Sequence, residues 1–126
     1  MATHNELGKW GEATAEQLLR DKGYTIVERD WHSGHRDIDI IARTPDNATL
    51  VFVEVKTRSN DDITTPFDAV DLKKIRHIAK SANHYVKMHD IDDMLRFDIV
   101  AIVGGPKGIK KIEHMEDAFR PLLAIR

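Results

Sequence analysis

The chain of 126 residues contains no cysteine, which excludes disulfide bonds and zinc sites built on thiolates. It also lacks any apolar run that approaches the roughly 20 residues needed to span a membrane. Its first ten residues are polar and lack the apolar centre of a secretory signal peptide. A cytoplasmic protein is therefore expected.

An excess of positive charge is also missing, because the formal net charge is −2. The chain as a whole thus lacks the basic balance of many nucleic-acid-binding proteins. No internal repeat, low-complexity stretch or linker divides the sequence. Its length predicts a single domain over residues 1–126, with a core at about 5–103 and a C-terminal extension at 104–126.

Hydrophobic periodicity predicts the order of secondary structure. Apolar residues recur at helical spacing in two segments, and short β-rich or alternating segments separate and follow them. The predicted helices are 5–22 and 67–87, and the predicted strands are 24–28, 35–42, 50–57, 97–103 and, as an edge strand, 109–114. The order α-β-β-β-α-β-(β) indicates an α/β fold with a single mixed sheet flanked by helices.

Two adjacent predicted strands carry paired polar residues. Asp37 and Asp39 alternate with the apolar Ile38 and Ile40. Glu54 and Lys56 alternate in the same way with valines on the following strand. If the isoleucines and valines enter one core, the four polar side chains lie together on the other side of the hairpin. Val55, between Glu54 and Lys56, would then offer its backbone carbonyl to the same place.

Such a group fits the hydrolysis of phosphodiesters. Mg²⁺ prefers carboxylate and other oxygen ligands, and a nearby lysine offsets charge in the transition state. The alternative is that Asp-x-Asp and Glu-x-Lys form the solvated face of an amphipathic hairpin, where such cross-strand pairs are common. Leu50 and Phe52 share a face with Glu54, which favours a mostly buried face with a polar end.

These motifs resemble a known family. The segments are Gly-Glu-Ala at 11–13, Gly-Tyr at 23–24, Asp-Ile-Asp-Ile-Ile-Ala at 37–42, Val-Phe-Val-Glu-Val-Lys-Thr-Arg at 51–58 and Arg-Phe-Asp at 96–98. In combination they are similar to the YraN family of uncharacterised bacterial proteins. The pattern of Asp39 followed by Glu-Val-Lys resembles the PD-(D/E)XK nuclease superfamily, including archaeal Holliday junction resolvases.

The resemblance implies a restriction-endonuclease-like fold and roles for five residues. Asp39 and Glu54 would bind Mg²⁺ or Mn²⁺, and Lys56 would polarise the attacking water or the phosphate. Asp37 would assist the metal ligands. Glu12 matches a helix glutamate that approaches the metal in the resolvases, although from its helix position alone an exposed acidic residue is an equal alternative.

The sequence departs from the family pattern at two places. Arg36-Asp37 replaces the usual Gly-Glu, which keeps the charge on a shorter side chain and changes the preceding backbone. Asp30, Trp31 and His32 stand where the family favours an asparagine, an aromatic residue and an arginine. Because that arginine is absent, we expect a weaker phosphate contact there.

The implied substrate is DNA, branched or single-stranded, in repair or recombination. Lys74 belongs to a basic run on the second predicted helix and, with Arg58, is predicted to contact phosphates. Related resolvases act as dimers, so a homodimer is implied as well. The competing hypotheses are a non-catalytic nucleic-acid-binding or scaffold module with a vestigial site, and a structural dimer unrelated to nucleic acids.

Overall fold

A computed structural model describes residues 3–34, 36–59 and 72–121. Within these residues the elements follow the predicted order, α-β-β-β-α-β-β, which confirms the predicted α/β fold with a single mixed sheet flanked by helices. They are α1 (His4–Asp21), β1 (Thr25–Ser33), β2 (Arg36–Arg43), β3 (Thr49–Arg58), α2 (Leu72–Met88), β4 (Met94–Gly105) and β5 (Gly108–Met115). None of the helices described is long and apolar enough to cross a membrane.

The five strands form one mixed sheet in the order β1-β2-β3-β4-β5. β1, β2 and β3 pair antiparallel, β3 and β4 pair parallel, and β5 returns antiparallel along β4. A parallel pair needs a crossover connection, and α2 lies on that crossover. The predicted edge strand is confirmed as β5.

Each face of the sheet is covered by one helix. Ile40, Val51 and Val53 belong to the buried cluster on the α1 face, and Phe52 belongs to the cluster on the α2 face. The prediction that Ile38 and Ile40 enter one core is wrong, because Ile38 packs in the α2 cluster. The side-chain alternation of β2 therefore breaks between these two isoleucines, at Asp39.

The break has a cause in the neighbouring strand. Asp30 of β1 has a positive φ of 49°, a left-handed conformation that Asp and Asn adopt more readily than most residues. Arg29 pairs with Ile40 and Trp31 pairs with Ile38 on either side of it. Trp31 contacts the ring of Tyr85 on α2. The left-handed backbone at Asp30 thus turns β1 and β2 so that the Trp31 and Ile38 side chains both face α2.

Several element boundaries differ from the predicted ones. β1 runs to Ser33, so the segment 30–32 lies in a strand and not in the predicted loop. Thr3 caps α1 by accepting the backbone N–H of Glu6 at 3.1 Å, and the helix begins at His4, one residue before the predicted start. The first described residue of α2 is Leu72, and the predicted helix start at 67 lies outside the described residues.

Candidate active site

β2 and β3 separate where the paired polar residues begin. Their antiparallel ladder ends at the Ile40–Val53 pair. Beyond it, the Asp39 carboxylate oxygen Oδ2 accepts the backbone N–H of Val55 at 2.8 Å. The Asp39 carboxylate thus accepts the N–H that a backbone carbonyl of β2 would accept in a regular ladder. It lies in the gap between the two strands.

Glu54 lies next to this gap and is 3% exposed. Its oxygen Oε2 lies 3.7 Å from Nζ of Lys56 and 3.5 Å from Nζ of Lys74 on α2. Its other oxygen, Oε1, is buried and receives no hydrogen bond from the described residues. The alternative of a solvated hairpin face is therefore wrong for Glu54. A buried carboxylate with an unsatisfied oxygen costs free energy unless a proton or a cation completes it.

These side chains line a cleft of about 230 Å³. Its walls come from the first half of α1, the middle of β2, the end of β3 and the start of α2. The lining residues are Leu7, Gly8, Glu12, Asp39, Glu54, Val55, Lys56, Thr57 and Lys74. Four of the five residues implied as catalytic line this cleft, and the fifth, Asp37, does not. The negative charge of Asp37 nevertheless reaches the site, because it raises the pKa of both Asp39 and Lys74.

Glu12 enters the cleft because α1 packs closely on the sheet. Gly11, Ala15 and Leu19 form the buried stripe of α1, and Glu12 lies beside it. A carboxylate oxygen of Glu12 lies within 4.8 Å of ligand oxygens from both Asp30 and Asp39. Three carboxylates thus converge beside the buried Glu54.

Crowding and burial raise the pKa values of the carboxyls. Burial raises the pKa of Glu54 to about 8, and the charge of Asp39 acts in the same direction. Burial also raises the pKa of Glu12 to about 8, with a hydrogen bond to Asp30 as the next cause. The pKa of Asp39 is raised as well, mainly by burial. At neutral pH the cleft therefore retains protons that a divalent cation would replace.

Sequence reasoning missed the contribution of Asp30. The sequence pattern identifies Asp30 only as the replacement of an asparagine, between the predicted strands 24–28 and 35–42. The register places it between the Arg29–Ile40 and Trp31–Ile38 pairs, level with Asp39. The available signal was chemical, because asparagine and aspartate share a tolerance for the left-handed backbone that this strand requires.

The two predicted phosphate-binding residues lie at different places. Lys74 is half-buried inside the cleft, where burial works against its charge but Glu54 and Asp39 raise its pKa overall. Arg58 lies at the end of β3, and its buried Nε has no hydrogen-bond partner among the described residues. Lys74 is thus placed to contact a group bound by the cleft carboxylates. Arg58 lies four residues beyond Glu54 on β3.

The residues fit a hard divalent cation. Carboxylate oxygens from Asp39 and Glu54 converge, one of them is buried and unsatisfied, and the neighbouring side chains are lysines. The N–H and C=O of one strand residue point to the same side. The carbonyl of Val55 therefore faces the gap into which its N–H donates. Oxygen ligands of this kind match the preference of Mg²⁺ and Mn²⁺.

Comparison with known sequences gives one family. The model of the Uncharacterised protein family UPF0102 matches residues 11–102. A UPF0102 protein of Porphyromonas gingivalis is 47% identical over 127 residues, covering 100% of this chain and 92% of that protein. A UPF0102 protein of Bacteroides thetaiotaomicron is 46% identical over 123 residues, covering 98% of this chain and 99% of that protein.

Comparison with solved structures gives more distant similarities. A repair endonuclease from Pyrococcus abyssi is 14% identical with a TM-score of 0.46, and the match covers 84% of this chain. The chain spans only 40% of that endonuclease. SfsA of Pyrococcus furiosus, solved in complex with Ca²⁺, is 14% identical with a TM-score of 0.36, covering 87% of this chain and 62% of SfsA.

Proposed function

The chain belongs to the UPF0102 family, which confirms its predicted membership of the YraN proteins, and on that premise we propose that it is a metal-dependent endonuclease that hydrolyses DNA phosphodiester bonds. The observation that carries the proposal is the buried, unsatisfied Oε1 of Glu54 beside Asp39. We further propose that residues 1–126 form one nuclease-like domain and that it acts in the cytoplasm, in DNA repair or recombination.

The cation would be held by Asp39, Glu54 and the carbonyl of Val55. The chemistry that bound Mg²⁺ or Mn²⁺ supplies is neutralisation of the scissile phosphate and a lowered pKa for the attacking water. Glu12 lines the same cleft, and one of its carboxylate oxygens lies within 4.8 Å of an oxygen of Asp39. The carboxylates thereby fix where the phosphate must lie.

The lysines supply the positive charge that the transition state requires. Lys56 is 28% exposed and 3.7 Å from Glu54, so its ammonium can reach both the carboxylate and a group entering from solvent. It would orient the attacking water or offset charge on the phosphate. Lys74 approaches Glu54 from the opposite helix and would hold a second phosphate oxygen. The negative charge of Asp37 helps to raise the pKa of Lys74 and that of Asp39.

The test measures cleavage by the purified protein over a Mn²⁺ and Mg²⁺ titration, with supercoiled, branched and single-stranded DNA as substrates. Glu54→Gln keeps the shape of the side chain and removes its charge, and Lys56→Met removes the ammonium. We expect each change to lower the rate by about a hundredfold or more. Lys111→Met is the matched control, since Lys111 is exposed on β5 and pairs with Glu113 at 3.2 Å.

Each outcome separates the competing hypotheses. Cleavage that survives Glu54→Gln would show a contaminating nuclease and overturn the site. DNA binding without cleavage at any metal concentration would favour the non-catalytic module. A binding constant that does not change with salt would remove phosphate contacts altogether. Sedimentation of the free and DNA-bound protein tests the proposed homodimer in the same samples.

A further inference from the structure

A second open pocket of about 500 Å³ adjoins the carboxylate cleft. It is bounded by Leu7 of α1, Ser59 at the end of β3, and the hairpin that joins β4 to β5. The hairpin contributes Gly104, Gly105, Pro106, Lys107, Gly108 and Lys110. Leu7 lines both this pocket and the carboxylate cleft, so the two are continuous around one side chain. We call it the hairpin pocket.

Its wall is built from backbone and small apolar groups. Gly104 has φ of +139°, and a β-carbon there would overlap the carbonyl oxygen of Gly108. The turn can therefore be this tight only with glycine at 104. A β-carbon at Gly105 would meet Leu7 Cδ1 at 3.9 Å, an ordinary van der Waals distance, so the leucine faces Gly105 across the pocket. Leu7 and Pro106 thus present the apolar surfaces of a pocket with little polar lining.

Positive charge surrounds this apolar surface. Lys107 and Lys110 line the pocket and are exposed. Lys110 lines the pocket, whereas Lys111 is not among its lining residues and pairs with Glu113 at 3.2 Å. The N-terminal turn of α1, where Leu7 lies, adds the positive end of a helix dipole. An apolar recess with cations at its rim suits a flat, uncharged group attached to a phosphate.

We propose that the hairpin pocket binds an unpaired base of the DNA substrate, with the adjacent phosphates held by Lys107 and Lys110. This rests on the proposed nuclease function, and it names the substrate class as DNA with a single-stranded segment next to the cleavage point. The base packs between Leu7 and Pro106. Such stacking tolerates any base, because every base has an apolar face.

The position of the pocket relative to the cleft supports this assignment. Ser59 directly follows β3, five residues beyond Glu54, which corresponds to about 16 Å along an extended chain. A single strand whose phosphate reaches Glu54 would therefore place a base a few nucleotides away in the hairpin pocket.

The test uses binding in EDTA, so that it does not depend on cleavage. The probe is a labelled single-stranded oligonucleotide, followed by fluorescence anisotropy over a range of salt concentrations. Lys107→Gln and Lys110→Gln should each weaken binding and reduce the salt slope by about 0.7, the value for one phosphate contact with a single strand. Lys111→Gln is the matched control, and its slope should stay at the wild-type value.

A second measurement addresses the base itself. Leu7→Gln keeps helix propensity and size but removes the apolar contact, and should weaken single-strand binding about tenfold and duplex binding by clearly less. An oligonucleotide with one abasic position, moved along the strand, should show a similar loss at one position in the wild type. In Leu7→Gln that position should cause no further loss, because both changes remove the same contact.

The outcomes keep the two proposals apart. Equal salt slopes for Lys110→Gln and Lys111→Gln, or abasic losses that add to the Leu7→Gln loss, would overturn the hairpin-pocket assignment even for an active nuclease. Binding that follows the expected pattern in a protein without metal-dependent cleavage would sink only the proposed catalysis. Thermal unfolding of each variant, monitored by circular dichroism, verifies that the fold is retained.

Discussion

Gly11 of α1 packs so closely on Thr57 of β3 that a β-carbon at Gly11 would overlap the threonine hydroxyl. The same added atom would lie 3.0 Å from Thr57 Cβ, so rotation of the hydroxyl alone could not relieve the overlap. This contact sets the distance between the helix and the sheet. Because Glu12 is the next residue, it also sets how far the Glu12 carboxylate reaches into the cleft.

Gly11→Ala should therefore displace α1. We expect slower cleavage, and a free energy of unfolding that is lower by about 1–3 kcal/mol because of overpacking. Gly8→Ala is the matched control on the same helix, since nothing lies within 4 Å of its added β-carbon. It should raise stability by up to about 1 kcal/mol through helix propensity. Thr57→Ala combined with Gly11→Ala should recover part of the loss. Chemical denaturation measures all four proteins, and equal stability of the two alanine variants would contradict this account of the packing.

The backbone of Asp30 gives a second prediction. Asp30→Asn keeps a residue that tolerates a positive φ, so the fold should be unchanged. It also removes a negative charge and alters the hydrogen bond that raises the pKa of Glu12, which should bring that pKa down from about 8. Asp30→Ala should cost about 1–2 kcal/mol because alanine disfavours this conformation. Carboxyl NMR titration of Glu12 and denaturation of both variants test this, and equal stability of the two would show that the left-handed backbone carries no cost.

Local patterns sufficed to predict the order of the elements and the proximity of Glu54 and Lys56. The order of elements follows from helical and alternating periodicity, and the side-chain period of two puts Glu54 and Lys56 on one side of β3. The predicted helix 5–22 ends directly before Gly23, whose φ of 94° suits the residue that follows a helix. Each of these features depends on residues close together in the chain.

Features set by distant contacts could not be predicted in the same way. The approach of Gly11 to Thr57 joins positions 46 residues apart, and a helical wheel shows only that Gly11 faces inward. The exchange of Ile38 to the α2 face results from the left-handed backbone at Asp30 in another strand. Strict alternation along β2 therefore gave the wrong face for Ile38, although it gave the right one for Ile40.

The raised pKa of Glu54 predicts how metal-free stability depends on pH. The folded state holds a proton on Glu54 up to about pH 8, whereas the unfolded state releases it near pH 4.5. Between these values the folded state binds more protons, so stability falls as pH rises. The loss is on the order of a few kcal/mol, because each unit of pKa difference corresponds to about 1.4 kcal/mol.

Glu54→Gln should remove most of this dependence, and in metal-free buffer it should be the more stable protein at pH 8. Glu12 titrates over a similar range, so a smaller slope should persist. Mn²⁺ should stabilise the wild type at pH 8 and leave Glu54→Gln nearly unaffected. Thermal unfolding from pH 5 to pH 8, with EDTA or Mn²⁺, measures both effects. A wild-type stability that rises over this range would contradict a buried, protonated Glu54.

Asp98 of β4 predicts the opposite pH dependence. It is fully buried, yet it accepts hydrogen bonds from Arg96, His114 and the backbone N–H of Asp117. Burial opposes its ionisation, but these partners hold its pKa below the usual 3.8. Its stabilising effect is therefore complete above about pH 4 and is lost as the pH falls through the lowered pKa.

Asp98→Asn should lower the free energy of unfolding by about 3 kcal/mol at pH 7 and weaken its pH dependence below pH 4. The matched control is Asp21→Asn, at an exposed position, which should leave the stability and its pH dependence unchanged. Denaturation from pH 7 to pH 2 measures this, and a wild-type acid transition retained in Asp98→Asn would assign it to other carboxylates.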